Sequence, residues 1–407
     1  MELGPIISAM RRNKVGAIVV GVQMAITLAI LCNALFIIEQ RVALGKRPTG
    51  TDEANIVVIT NQWAGHPTDL AAKLQGDLAA LRSMPGVVDA FASNTYPLSN
   101  GGSSLNLKLN PEQRESTAQT ALYIADEHGL QTLGLKLIAG RNFTADEVLD
   151  RMPGTNVPPS AVIVTRALAE KLFPGKNAAG QSVYSEYQKT LAPIVGVVDK
   201  LQVPWTQAGG FGSKFNDSSL LEPYRHEAPY GYYLVHAQPG QAVAVMKAAE
   251  KRLIEVNRAR VLQKSQTLTE ARAEAYKDDR GLVIILGVVC AALVAVTAFG
   301  IVGLTSYWVA QRRRQIGIRR ALGATRTAII RYFQTENFLI AAVGSIGGIG
   351  LALSLNLWMV TAFEMERLDT RYALIGAVFV LLLGQLAVLW PALKAASIPP
   401  ALATRAA

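Results

Sequence analysis

Chemistry in this chain has few residues to work with. Asp126-Glu127-His128 places two acids and a base in a row, but general acid–base catalysis needs groups that converge on one reacting atom. Consecutive residues seldom face one point, so the trio reads as a solvated turn ahead of Gly129. Gly45-Lys46 and Gly175-Lys176 come nearest to the phosphate-cradling pattern GxxxxGK[ST], yet the glycine required five residues ahead is Gln40 in one case and Glu170 in the other. No HExxH zinc motif occurs, and no GxSxG stands before a helix in a hydrolase setting. The histidines at 66, 128, 226 and 236 are scattered, and two cysteines make neither a four-ligand zinc site nor a disulfide framework. No catalytic residue, cofactor-binding residue or metal ligand is expected.

What stands out instead is where charge is missing. Of 407 residues, half are hydrophobic and 17% charged, the reverse of the balance that leaves a chain disordered. No charged residue falls within 15–38, 281–311, 337–363 or 372–393, stretches of 24, 31, 27 and 22 residues rich in Ala, Val, Ile, Leu and Gly. A spanning helix needs about 20 apolar residues, so four transmembrane helices are predicted. The first stretch is too long for a signal-peptide core of about 7–15 residues. The bulky Leu31 ahead of Cys32 also argues against lipoprotein processing, so 15–38 reads as an uncleaved anchor.

Charge sets the orientation. Arg11, Arg12, Lys14, Arg312, Arg313, Arg314, Arg319, Arg320, Arg326, Arg331, Lys394 and Arg405 fall on one side against Glu2, with Glu336 left aside at the mouth of the third span, whereas 39–280 carries 26 basic and 25 acidic residues. Nearly all of the net +10 therefore lies on one face, which the positive-inside rule makes cytoplasmic. Such residues hold topology and touch anionic membrane lipid, so no nucleic-acid partner is needed to explain them. The expected layout is a cytoplasmic segment 1–14, an outer domain 39–280, a cytoplasmic segment 312–336 and a tail 394–407, with both termini cytoplasmic.

The outer domain has no cysteine, since Cys32 and Cys290 fall in spans, and must stand on its core. Residues 55–60 read as a strand, 67–83 as a helix with Leu70, Leu74, Leu78 and Leu81 on one face, and 87–91 as a strand after the Pro85-Gly86 stop. Near the far end, 230–237 reads as a strand and 241–256 as a helix after a Pro-Gly turn. A βαβ unit divided between the two ends predicts an α+β domain with one lobe built from both ends and a second, about 126–224, inserted into it.

In the 312–336 segment, Arg312, Arg313 and Arg314 close the second span as topology anchors. Beyond them Ile316, Ile318, Ala321 and Leu322 give a short amphipathic element that Gly323 ends. An exposed apolar ridge beside Arg319 and Arg320 suits a groove on a partner whose acids pair with the arginines. A helix lying in the lipid interface has the same composition. In the third span Gly344 and Gly348 form a GxxxG pair, which lets helix backbones approach closely, either within one subunit or between two. Glu336, with Asn337 beside it, is expected at the mouth of that span, reaching the interface.

The stretch Gln311-Arg312-Arg313-Arg314-Gln315-Ile316-Gly317-Ile318-Arg319-Arg320-Ala321-Leu322-Gly323-Ala324-Thr325 resembles the signature that follows the second span of FtsX-like permeases of bacterial ABC transporters. Residues 390–396 through Pro400-Ala401-Leu402 resemble their closing motif, and 133–143, 167–175 and 194–198 resemble the periplasmic core of the MacB-type members. The resemblance runs through the chain in order. It implies a multi-pass protein of a bacterial inner membrane: one span, a periplasmic domain with a porter-like lobe and an inserted second lobe, then three spans. It also implies a mechanotransmission subunit docked to an ABC ATPase subunit through Arg314, Gln315, Ile316, Ile318, Arg319, Arg320, Leu322 and Gly323. A second permease subunit, a periplasmic adaptor and an outer-membrane channel are further partners it implies, in export of an antibiotic, peptide or toxin. Lipoprotein extraction of the LolC kind and control of cell-wall hydrolases of the FtsX kind are the alternatives left open. MacB carries its own ATPase ahead of the first span, whereas this chain begins at the span, so it is expected to be the permease subunit alone. At Gln315 the family pattern usually has Glu; the lost carboxylate predicts either a heteromeric permease pair whose other chain keeps the acid, or a position where amide hydrogen bonding suffices.

Overall fold

The computed structural model describes residues 14–65, 68–151, 157–206, 215, 217–363 and 366–399. Arg11, Arg12, His66, Arg405 and the Pro400-Ala401-Leu402 stretch lie outside the described residues. The chain divides into two units, Leu44–Asp278 and the helical pair of segments Met1–Ala43 with Asp279–Ala407. In chain order the elements begin with α1 (Lys14–Gly45), β1 (Ile56–Trp63), α2 (Leu70–Arg82), β2 (Val87–Ser93), β3 (Ser103–Lys108), β4 (Ala118–Ala125), α3 (Gly129–Leu133) and β5 (Leu137–Gly140). They continue with β6 (Leu149–Arg151), β7 (Val162–Thr165), α4 (Arg166–Leu172), β8 (Ser182–Ser185), β9 (Thr190–Val198), β10 (Ser219–His226), β11 (Tyr230–Ala237), α5 (Ala242–Val256), β12 (Arg260–Thr267) and α6 (Leu268–Ala275). Last come α7 (Lys277–Gln311), α8 (Arg313–Ala321), α9 (Arg326–Phe363) and α10 (Thr370–Ala396).

Strand β1 shows why the Leu44–Asp278 unit is layered. Alternate side chains of a strand point to opposite faces. Ile56 and Val58 enter one core with Phe91 and Leu234, while Val57 and Ile59 enter another with Leu74, Leu78 and Leu81 of α2 and Val245, Ala249 and Leu253 of α5. Burial on both faces explains the unbroken apolar run that opens the strand. The sheet is antiparallel in the order β12-β1-β11-β2, with Val58 opposite Leu234. Gly86, at φ +81°, makes the turn from α2 into β2; a Cβ there would come within 2.2 Å of the Gln241 side-chain oxygen.

The other eight strands follow the path β4-β3-β8-β9-β7-β10, which closes because β10 pairs with both β7 and β4; β5 joins β9 and β6 joins β10. This sheet too is covered on both faces. Val162, Val164 and Leu220 face a core shared with Leu168 and Leu172 of α4, while Ile163, Leu221 and Tyr123 face Ile56, Phe91 and Leu234 of the first sheet. The second lobe expected at 126–224 therefore needs correction. Strands β3 and β4 precede residue 126 yet bond to β8 and β10, and the two sheets share one core.

At the edge of the first sheet, Arg260 of β12 donates two hydrogen bonds of 2.7 Å to the carboxylate of Asp77 on α2, and both side chains are wholly buried. The Tyr233 hydroxyl donates to the same carboxylate at 2.5 Å, and the guanidinium lies 4.1 Å from the centre of the Trp63 ring. Burial, with Asp77 beside it, pushes the Tyr233 phenol well above its usual value. A planar fork held by a carboxylate and an aromatic face is what Arg, and not Lys, supplies.

In the helical unit, α1, α7, α9 and α10 are each long and apolar enough to cross a membrane. Glycines set how closely they pack. A Cβ at Gly344 would come 2.7 Å from the Gly21 carbonyl, and one at Gly348 2.9 Å from the Ala25 carbonyl, so both let α9 lie against α1. Gly376 and Gly384 do the same on α10, beneath Cys32 and Met24. The GxxxG pair is thus buried inside one chain, which removes it from the surface open to a second subunit. Polar side chains tie the same helices: the hydroxyls of Thr27 and Thr297 meet at 2.8 Å, Gln23 donates to the Val296 carbonyl, and Asn33 donates to the Ala352 carbonyl. The third long helix begins at Arg326, so its first turns form the second half of the 312–336 segment. Glu336 is buried within it.

Replacing Arg260 with Met leaves Asp77 charged and unpaired in the core, a loss of about 3–5 kcal/mol. Thermal unfolding of the intact protein checks this: Arg260→Met should lower the midpoint strongly, and Arg260→Met with Asp77→Leu should recover most of the loss.

Candidate functional site

The residues singled out between α7 and α9 form a compact corner. Helix α8 is nine residues long and ends in a left-handed cap: Gly323 takes φ +100°, its N–H bonds to the Arg320 carbonyl, and the Ala324 N–H reaches back to the Arg319 carbonyl. That pairing satisfies the last carbonyls of the helix and requires a residue without Cβ penalty. Thr325 then starts α9, its hydroxyl accepting the Ala328 N–H.

Inward, Ile316 and Gly317 are buried, and Ile316 packs with Ile329 and Phe333 of α9 and Trp308 of α7. One guanidinium nitrogen of Arg312 donates to both oxygens of Glu336, at 3.1 and 2.9 Å, and to the Tyr332 hydroxyl at 3.4 Å. Glu336 is only 2% exposed. Arg320 turns inward as well, donating to the Ile398 carbonyl at 2.5 Å.

Outward, Ile318 and Leu322 sit one turn apart and are 45% and 82% exposed. Arg314, Gln315 and Arg319 are exposed beside them, and Arg313 is exposed at a cleft lined by Trp390 and Lys394 of α10. Between α8 and the first turns of α9 lies a cleft of about 270 Å³ whose lining includes Gln315, Arg319 and Arg331, with Ile316, Ile329 and Phe333 beneath. Arg319 lies 5.2 Å from the centre of the Tyr332 ring. The expected ridge is therefore narrower than its sequence spacing implied. Ile316 and Arg320 belong to the attachment of the helix, and Ile318 and Leu322 with the surrounding arginines form the free face. Arg312 is more than a topology anchor. The signal for it was present: Glu336 is the sole acid from 281 to 363, in a region crowded with arginine.

The acidic trio does not converge. Asp126 bonds to Arg82 at 3.2 Å, and His128 turns instead to Asp89, its Nδ1 lying 2.9 Å from the carboxylate. Arg82 also reaches Asp89 at 3.3 Å, so the cluster joins α2 and β2 of the first sheet to the loop after β4 of the second. The solvated-turn reading needs correction, because Asp126 is buried. Among the described residues, no three His, Cys, Asp or Glu side chains are placed to hold a metal ion.

Residues 15–253 match the family model of the MacB-like periplasmic core domain, and residues 287–400 match that of the FtsX-like permease C-terminal region. The chain belongs to the MacB-type FtsX-like permeases. The ABC transporter permease YknZ of Bacillus subtilis is 24% identical over 369 residues, 88% of this chain and 86% of that one. The macrolide export ATP-binding/permease protein MacB of Neisseria gonorrhoeae is 23% identical over 305 residues, 71% of this chain and 43% of its own length. The pyoverdine export ATP-binding/permease protein PvdT of Pseudomonas aeruginosa is 26% identical over 203 residues, 48% of this chain and 29% of its own. This permease thus spans less than half the length of MacB or PvdT. The α8 corner lies within the part that matches the FtsX-like model, and the Asp126 cluster within the part that matches the MacB-like core domain.

Burial pushes the Asp126 carboxyl up to about 6, against the pull of Arg82 and with a further push from Glu127. A carboxyl that holds its proton more tightly when folded loses stability as pH rises from its unfolded value toward about 6. Asp126→Asn should therefore stabilise this permease more at pH 7.5 than at pH 4.5, measured as the difference in melting temperature between variant and wild type at each pH.

Proposed function

We propose that this chain is the membrane subunit of an ABC transporter that couples ATP hydrolysis on a separate ATPase subunit to work in the periplasm. The observation that carries the reading is the free face of α8. Ile318 and Leu322, flanked by Arg314 and Arg319, are presented by a helix that Arg312–Glu336, Ile316 and the Gly323 cap hold in place. An apolar pair with flanking guanidinium groups fits a groove with acidic rims on a partner. The sequence has no GxxxxGK[ST] loop, so the nucleotide and its magnesium belong to that partner. The one-sided charge supports an inner-membrane orientation with α8 and both termini in the cytoplasm. Its relatives' names speak of macrolide and pyoverdine export, which favours export of a small molecule or peptide through the periplasm. A second permease subunit, an adaptor and an outer-membrane channel would complete the assembly. Gln315 stands on the rim of the cleft beside the free face, where a heteromeric pair would let the other chain supply the missing carboxylate.

Purified alone, the chain should hydrolyse ATP no faster than background, and adding the cognate ATPase subunit should give a stable, active complex. Leu322→Asp and Arg319→Glu should each lower co-purification of that subunit by tenfold or more, the size of a desolvated interface contact, while leaving the protein in the membrane. Unchanged co-purification by both variants would return α8 to a helix that merely lies in the lipid interface.

A further inference from the structure

We infer a binding site for an anionic phospholipid between the ends of α7 and α10, separate from the α8 docking face and independent of whether that face binds an ATPase. A cleft of about 550 Å³ opens there, lined by Ser306 and Val309 of α7, Arg313 at the start of α8, and Trp390, Lys394 and Ser397 along and after α10. Its chemistry is divided in the way a glycerophospholipid is divided. The walls toward the middle of the long helices are apolar: Val309, Pro391 and the indole of Trp390, which is 59% exposed. Toward the helix ends stand two cations, Arg313 and Lys394, with the hydroxyl of Ser397, while Ser306 lies one turn deeper than Val309 on α7. Neither cation has a carboxylate partner among the described residues. Every acidic partner in the ion pairs belongs to another residue, and Lys394 rests 5.4 Å from the Trp390 ring centre.

A carboxylate-free pair of cations at the end of membrane-crossing helices selects a phosphate that bears net charge. The apolar floor and the tryptophan select the acyl and glycerol part, because an indole is favoured where apolar and polar layers meet. Pro391 contributes geometry. It lacks an N–H and so cannot bond to the carbonyl one turn back, which interrupts the helix wall at the floor of the cleft. A phosphatidylglycerol-like lipid satisfies all of these features at once. A zwitterionic phosphatidylethanolamine brings its own ammonium into a site already holding two cations and is disfavoured.

The test uses the full chain in mild detergent, with native mass spectrometry of bound dioleoyl-phosphatidylglycerol against dioleoyl-phosphatidylethanolamine. Wild type should retain phosphatidylglycerol selectively. Arg313→Gln and Lys394→Gln should each reduce its retention about fivefold, from about 1 kcal/mol per basic residue near a charged lipid surface, and the double variant by more than either. Arg326→Gln, which removes a cation outside the cleft, should leave retention unchanged, and Trp390→Ala should weaken both lipids. Glycerol 1-phosphate should compete poorly, which separates a lipid site from a free-phosphate site. Equal retention of the two lipids by wild type would overturn the assignment, as would an Arg326→Gln loss matching that of Arg313→Gln or full competition by glycerol 1-phosphate.

Discussion

The ion pair between Arg312 and Glu336 is the constraint around which the α8 corner is built. A carboxylate with 2% exposure is costly unless its charge is met, and here one guanidinium meets both of its oxygens. The pair joins the residue after α7 to the eleventh residue of α9, so the intervening turn of helix has its entry fixed to the body of the third long helix. Ile316 adds an apolar anchor, and Arg320 adds a third attachment at the Ile398 carbonyl. With three attachments on one side, the opposite side of α8 is defined by default. What remains exposed on a nine-residue helix is the face that carries Ile318 and Leu322.

A comparable economy governs the Leu44–Asp278 unit. Each of its two sheets is buried on both faces, which few short strands manage without extra cover. Helices α2 and α5 cover one outer face, α4 the other, and the facing sheets cover each other. Closure of the second sheet through β10 removes most of its free edges. The first sheet keeps β12 at its edge, and there the Arg260–Asp77 pair with Trp63 fastens the strand to α2. Polar anchoring thus appears where apolar cover runs thin, as the sequence of β12, Arg-Val-Leu-Gln-Lys-Ser-Gln-Thr, makes necessary.

That same strand marks the limit of what could be read beforehand. Strands β1, β2 and β11 and helices α2 and α5 were legible within a few residues, because their apolar spacing is set by burial in a sheet or against it. An edge strand exposes half its side chains and carries no such pattern, so β12 was invisible. The lobe boundary at 126 failed for a related reason: local spacing identifies strands but not their partners, and β4 finds its parallel partner β10 about a hundred residues later. In the helical unit, charge gaps located all four long helices. They could not place the start of α9, since its first turns are basic and helical propensity does not require apolar residues. At the α8 corner, composition gave the amphipathic element, but which of Ile316 and Ile318 faces inward depends on where α9 lies.

Two readings of α8 compete for the same free energy. Burying Ile318 and Leu322 is worth about 1.5–3 kcal/mol each, in a lipid interface or in a protein groove alike, so hydrophobicity alone does not separate them. Geometry does. A helix that lies in lipid gains by showing every large apolar residue it has to the acyl chains, and α8 would then expose Ile316 as well as Ile318 and Leu322. Ile316 is instead packed against Ile329, Phe333 and Trp308. The helix has turned its best apolar residue toward its own chain and is held there by a buried ion pair. A lipid contact gains little from such rigidity, because lipid adapts to whatever it meets. A protein groove gains a great deal, because a ligand already fixed in its bound shape loses less freedom on docking. The attachment of α8, more than its exposed leucine, is what favours a partner of defined shape on that face.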